Sequence, residues 1–493
     1  MTYGHFSLLV VGILAISLVS QYFHGGLNKY PGPFIANFTH LWRFHDVLRR
    51  RPDITHLRLH RKFGDIVRLG PNVLSFADPN ALKAIYGLNK GMSDFYPVQM
   101  STSKGEPLPS LFSATDEKFH ANLRRSVNNA FSMTSLVQYE PMINDTTQVF
   151  LDQTERLFAA EDKPCDFARW LQFFAFDVIG SITYSKRHGF IDKNEDVDDI
   201  VAQLARIFDY AGPIGQMPWL DKLLWKNPLL DWLSKWGLLD NSFAVAIFAR
   251  ARMQERFREA TPIHGAGGSR EDLLTMFMKT QKTKPDVMTE KRVLTMAVSM
   301  AFAGSETTAI SLAAVFYFLL KQPSCLQRLR NEIDEAIRAG KLTDHASGVV
   351  SWTESQNLPY LDACIKEAFR MHPAAGLPLE RVVPPQGMDI CGDWIPGNTI
   401  VGCSAWVIHR QESVFGDDVD TFRPERWLDA DPERLKLMNS AMFQFGAGSR
   451  TCIGKNISLM EIYKLVPSFL RRFDVSLFID LDWDRSWFSW GHC

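Results

Sequence analysis

Phe445-Gly446-Ala447-Gly448-Ser449-Arg450-Thr451-Cys452-Ile453-Gly454 carries the most specific chemical pattern in this chain. A single cysteine follows a glycine-rich run and opens an apolar helical pattern from Ile457 to Phe473. Glycines let a backbone come close to a flat ligand. A helix N-terminus and a neighbouring arginine both favour thiolate over thiol. A thiolate so placed can act as a nucleophile or as a metal ligand, and a single cysteine can also be buried and inert. The nucleophile reading lacks a local histidine to serve as base.

Moving outward, Thr289 to Lys321 is a long apolar helical pattern with Thr289 as its cap and Pro323 just beyond its end. At 1.5 Å per residue it makes a rod of roughly 50 Å. It is apolar nearly all round, as a helix through a core should be. Its centre, Ala303-Gly304-Ser305-Glu306-Thr307-Thr308, is polar, which is costly in lipid and argues for a buried core helix over a membrane span. Such a cluster is either satisfied by the preceding turn or used chemically. In the second case Gly304 leaves room for a small ligand, and Glu306 and Thr307 can pass protons. Phe167 to Tyr184 is a second apolar helix, and Leu358 to Met371 a third. Asp65–Leu69 and Val73–Phe76 around Gly70-Pro71-Asn72 read as a hairpin. No flexible linker separates these elements. The expected fold is mainly α with a small β component.

The 493 residues carry a net charge of −1 and 46% hydrophobic residues, which points to a large core and away from nucleic acid. The seven cysteines are scattered and odd in number, with no CxxC pair, so neither a disulfide framework nor a structural zinc site is expected. At the N-terminus, Phe6 to Phe23 is uncharged and apolar, and spans roughly 27 Å as a helix, near the thickness of an endoplasmic reticulum bilayer. Between Trp42 and Leu69, eight Lys/Arg stand against three Asp. The positive-inside rule then places the body in the cytosol. The alternative is a cleaved signal peptide, but no Lys or Arg precedes the run and no clear A-x-A site follows it; residues 1–27 are therefore expected to be a membrane anchor, joined through the stiff Lys29-Tyr30-Pro31-Gly32-Pro33 segment to a body of residues 28–493.

The cysteine loop resembles the haem-binding signature of the cytochrome P-450 family, F-x-x-G-x-R-x-C-x-G, at Phe445, Gly448, Arg450, Cys452 and Gly454. The polar cluster resembles the family's A-G-x-[DE]-T-[TS] motif. Glu367-Ala368-Phe369-Arg370 resembles its E-x-x-R helix, completed by Arg426 of Pro424-Glu425-Arg426. His120-x-x-x-Arg124 and Arg381 look like its propionate partners. Phe176-Asp177-Val178-Ile179-Gly180 and Phe422 to Trp427 look most like filamentous-fungal microsomal members, the pisatin-demethylase-like branch in particular.

The resemblance implies the cytochrome P-450 fold and a monooxygenase that places one oxygen atom of O2 in a lipophilic small molecule, in fungal secondary metabolism. It implies haem, with Cys452 on iron and with His120, Arg124, Gly304, Arg381, Phe445, Gly448, Arg450 and Gly454 around the cofactor. Glu306 and Thr307 would be the catalytic pair, and Glu367, Arg370 and Arg426 structural. Electrons would come from NADPH through a separate NADPH-cytochrome reductase, because no flavin or dinucleotide-binding unit is read here. The location implied is the endoplasmic reticulum membrane, single-pass, with a cytosolic catalytic body. Substrate would be lined by Ser93 to Asp116, Phe208 to Leu220, Phe302 and Ala374 to Leu379. Two other readings are a haem-thiolate isomerase or peroxygenase, and a non-catalytic haem protein. Family members close with a hairpin near the substrate. Here Leu481 to Cys493, with three Trp and one Phe, is expected to pack on the substrate side in its place.

Overall fold

The computed structural model describes residues 3–87, 91–103, 106–238, 244–258, 272–343 and 348–477. The glycine-rich loop at 264–269 and the segment Leu481–Cys493 therefore lie outside the described residues.

Seven of the helices carry the argument: α1 (Tyr3–Phe23), α2 (Glu117–Val127), α3 (Phe167–Tyr184), α4 (Ile200–Ile214), α5 (Glu290–Lys321), α6 (Pro359–Met371) and α7 (Lys455–Arg472). Helix α5 starts where the sequence says it should: the Thr289 side chain accepts from the Arg292 amide at 3.3 Å. It ends before Pro323, which takes the first position of the next helix. Helix α5 crosses the core against α3, α6 and α7. It is long and apolar enough to span a membrane, but over half of its most apolar window is buried in protein. Helix α3 is capped by Asp166, whose carboxylate accepts from the Arg169 amide, and nearly all its residues are buried.

Five short strands, β1 (Ile66–Gly70), β2 (Val73–Phe76), β3 (Gly91–Met92), β4 (Arg381–Val382) and β5 (Ile400–Gly402), form one mixed sheet in the order β1-β2-β5-β4-β3. The β1–β2 pair is the expected antiparallel hairpin, with Val67 opposite Ser75. Strand β2 then runs parallel to β5, and β4 lies antiparallel to both β5 and β3, so Arg381 stands opposite Val401 and Met92. Two further two-stranded ribbons complete the β component.

The joint after α1 is docked on this sheet. The Arg68 amide donates to the Pro31 carbonyl at 2.8 Å, and a Cβ on Gly32 would collide with Arg68 O. The buried Arg68 guanidinium reaches back to the last carbonyls of α1, donating to Gln21 O at 2.8 Å and Tyr22 O at 2.9 Å.

Between α6 and the cysteine loop, Glu367 gathers the core. Arg370 donates to both its oxygens (2.9 and 2.8 Å), Arg426 Nε and the Arg423 amide to Oε1, and Trp427 Nε1 to Oε2. Glu367, Arg370 and Arg426 are all buried, and their mutual pairing makes burial of three charges tolerable.

Candidate haem-thiolate site

Close approach shapes the cysteine loop. Gly446 and Gly448 hold positive φ of 70° and 68°. A Cβ at Gly448 would stand 1.7 Å from the Tyr86 carbonyl oxygen, so no side chain fits there. The Cys452 amide donates to Phe445 O at 2.8 Å and closes the loop on itself. Arg450 pins it to the start of α2, donating to Glu117 Oε1 at 2.6 Å and to the Leu111 and Ala114 carbonyls. Just before the loop, the Phe443 amide donates to His409 Nε2 at 2.7 Å. The other ring nitrogen of His409 lies 3.3 Å from Arg370 O, tying the loop to the Glu367 cluster.

By surface area Cys452 is exposed, yet protein atoms crowd the sulfur enough for burial to push its thiol pKa upward. Both hold for a side chain that opens into an enclosed cleft. Against burial, the Gly454 and Lys455 amides at the head of α7 and the Arg124 charge favour the thiolate. A bound cation would tip that balance to the thiolate outright.

A similar contrast appears on α5. Ala303 and Thr307 are exposed, while Ala301, Ser305, Thr308 and Ala309 around them are buried. One helical turn apart, Ala303 and Thr307 make a strip of accessible surface on a core helix, as a helix lining a cleft must. The hydroxyls are satisfied within the helix: Ser305 donates to Ala301 O at 2.6 Å and Thr307 to Ala303 O at 2.7 Å. Glu306 turns to α3 and accepts from Gln172 Nε2. Burial raises its pKa and the Gln172 amide opposes the rise.

Four basic groups gather by the loop. His120 and Arg124 share one face of α2, and the sheet supplies Arg381, which donates to the Tyr96 hydroxyl at 3.0 Å. Burial, and then the charges of Arg450, Arg124 and Arg381, hold His120 down to about 4. Burial lowers Arg124, the Cys452 sulfur opposes that, and Arg450 adds to it. Arg450 is paired with Glu117 and His120 is held neutral, which leaves Arg124 and Arg381 as the like charges that an anion would relieve. A glycine-rich loop, a cysteine sulfur and cations for carboxylates together suit haem.

The site residues expected from sequence are not all placed alike. Gly454 caps α7, and its Cβ position lies 3.9 Å from Cys452 Sγ. The Phe445 ring packs on Phe369, with ring centres 5.4 Å apart. Arg450 is committed to Glu117. A Cβ on Gly304 would stand 2.5 Å from Ile179 Cδ1, so the contact seen at this glycine is with α3. All four expected substrate segments meet: Phe95, Gln216 and Leu377 line one pocket, Met100, Tyr210 and Phe302 another, Phe208 and Leu377 a cavity of about 170 Å³, and the Phe208 ring lies 5.3 Å from Phe302.

Sequence reading missed Glu117, Tyr96 and Gln172. The signal for Gln172 was present, because an amide in the apolar run Phe167 to Tyr184 needs a partner. Nothing local announces the other two.

A family model described as Cytochrome P-450 matches residues 30–481. The chain is 43% identical over 470 residues to a cytochrome P-450 monooxygenase of Aspergillus terreus, covering 94% of this chain and 93% of that one. It is 41% identical over 478 residues to cytochrome P-450 monooxygenase cicH of Emericella nidulans (96% and 93%), and 37% identical over 465 residues to pkfB of the same organism (94% and 89%).

Proposed function

Because the chain belongs to the cytochrome P-450 family and is an oxidoreductase of the monooxygenase class, we propose that Cys452 binds the haem iron and that the substrate is a lipophilic small molecule of fungal secondary metabolism. The observation that carries the ligand assignment is the exposed but enclosed Cys452 sulfur at the head of α7. Cys452 would hold the haem, and the bound group would supply O2 activation, which a thiolate ligand favours.

The chain's own residues do the rest. The Gly454 and Lys455 amides and Arg124 steady negative charge on sulfur. His120, Arg124 and Arg381 offer donors and positive charge to carboxylates, and Arg450, bound to Glu117, braces the loop beside them. Phe445, Gly448 and Gly454 set how closely the loop approaches the flat face. Thr307 holds a hydroxyl on the exposed strip of α5, and Glu306 offers a half-buried carboxyl that can take up and release a proton; together they carry protons inward. Phe208, Phe302 and Leu377 present an apolar wall to the substrate.

Electrons come from NADPH through a separate NADPH-cytochrome reductase. Residues 1–27 anchor the body, residues 28–493, to the cytosolic face of the endoplasmic reticulum in a single pass. Support comes from the apolar α1 helix, with Val11, Ile13, Ile16 and Val19 exposed, and from the basic segment after it.

The test is metabolite profiling of a producing strain with and without the gene, followed by turnover of the accumulating compound. Under 18O2, with NADPH and reductase, the product should gain one labelled atom. Turnover by peroxide alone, with none from NADPH and reductase, would overturn this reading.

A further inference from the structure

Helices α3 and α5 pack along most of the length of α3. Between two such buried faces a polar pair is costly, since both groups leave water. Gln172 is nevertheless buried there, and its Nε2 donates to Glu306 Oε2. The backbone that carries it is fixed: Leu171 and Phe173 on either side are buried, and Trp170 Nε1 donates to Thr154 Oγ1 at 2.8 Å.

Two turns along α3, Ile179 meets Gly304. A Cβ on Gly304 would lie 2.5 Å from Ile179 Cδ1 and 3.0 Å from Cγ1. Ile179 is fully buried, so either its side chain must turn within the packed interface or the helices must part. Gly304 and Glu306 flank Ser305, so both contacts fall within one turn of α5. An alanine at Gly304 would press the helices apart where the amide must reach the carboxyl. Among the described residues no charged side chain of α3, α5 or a neighbouring element bears on Glu306; burial and the Gln172 amide are the influences on it.

We propose that Gln172 is a positioning residue that holds the Glu306 carboxyl toward α3 and favours its ionised form, and that Gly304 is small so that α3 comes near enough for this. The role in turnover rests on reading Glu306 as a proton carrier. The contact between the two side chains does not. A donor to a carboxylate stabilises the anion; without it, a buried carboxyl keeps its proton to higher pH.

The test is an infrared titration of the resting, haem-loaded protein. The protonated-carboxyl band of Glu306 is identified by its loss in Glu306→Gln. In Gln172→Leu, close in volume but without a donor, the titration midpoint should rise by about one pH unit, a tenfold change in the ionisation constant. Gln172→Met serves if the leucine variant does not fold, as judged by thermal melting. Gly304→Ala should raise the midpoint by less, and Gly304→Ala combined with Ile179→Ala should return it toward wild type. An unmoved midpoint in both Gln172 variants overturns the proposal. An unmoved midpoint in Gly304→Ala overturns its second half. Peroxide released per NADPH is measured alongside. If Glu306→Gln and Thr307→Ala leave it unchanged, the proton-carrier reading fails while the infrared shift still supports the positioning. If those two raise it and the Gln172 variants move neither readout, the positioning claim alone fails.

Discussion

Glu367 and Thr307 show how differently single residues carry weight here. Glu367 compensates two buried guanidinium groups. Glu367→Ala would leave Arg370 without its carboxylate and Arg426 with Asp418, and breaking a buried pair from one side costs about 3–5 kcal/mol. The expected result is a large fall in the denaturant midpoint and in haem content; a midpoint within experimental error of wild type would contradict the packing account. Thr307→Ala should do the reverse. Alanine suits a helix interior, and among the described residues the hydroxyl bonds to Ala303 O in its own helix. Haem content and melting should hold while more NADPH ends as peroxide, and Thr307→Ser should restore much of the coupling. Unchanged coupling in Thr307→Ala would mean the hydroxyl is only local helix chemistry. Glu367 and Arg370 are legible in sequence because they lie three residues apart on one helix face. The Gln172–Glu306 pair is not, because its partners stand 134 positions apart and periodicity shows that Gln172 is buried without showing what it meets.

At the scale of elements, the cysteine loop depends on supports that differ in kind. One is steric: with Gly448 at positive φ and its Cβ position 1.7 Å from Tyr86 O, Gly448→Ala should fold as helices yet lose haem, measured as haem per polypeptide. Full haem content would contradict the close-approach account. The other support is His409, whose Nε2 accepts from the Phe443 amide. Burial, then the charges of Arg370 and Arg410, push it down to about 3. Because its folded pKa lies below the ordinary value near 6.5, the unfolded chain takes up a proton that the fold refuses. Stability is therefore full above about pH 6.5 and is lost as pH falls toward 3, by up to about 1.4 kcal/mol per pH unit. His409→Gln, which keeps an acceptor and cannot titrate, should flatten the acid limb of a stability–pH curve by up to one proton; an equally steep limb would contradict this. Helices α3 and α5 are readable to within a residue because long apolar patterns with a capping Asp166 or Thr289 are local signals. The sheet order is not. Pairing Val73 with Ile400 joins segments that no short-range pattern connects, and strands as short as Arg381–Val382 carry no periodicity.

For the whole molecule, apolar surface is unevenly placed. Apart from α1, exposed large side chains concentrate at Phe34, Ile35, Leu41 and Leu48 and at Trp219, Leu229, Trp232 and Trp236. Exposed apolar surface on this scale marks contact with lipid or protein. Deleting residues 1–27 should move the protein only partly from the membrane to the soluble fraction, and high salt should release part of the remainder held by the basic segment. Secretion of the full-length protein with its N-terminus removed would contradict the anchor reading. The central proposal is that Cys452 would hold the haem iron through its sulfur, with the glycines of its loop beside it. The most direct measurement is the absorption spectrum of the reduced, CO-bound protein, wild type beside Cys452→Ser, with haem content and melting measured on the same samples. The account predicts the red-shifted Soret band of thiolate-ligated haem in wild type and its loss in Cys452→Ser, with most of the fold retained. Persistence of that band in Cys452→Ser would contradict it.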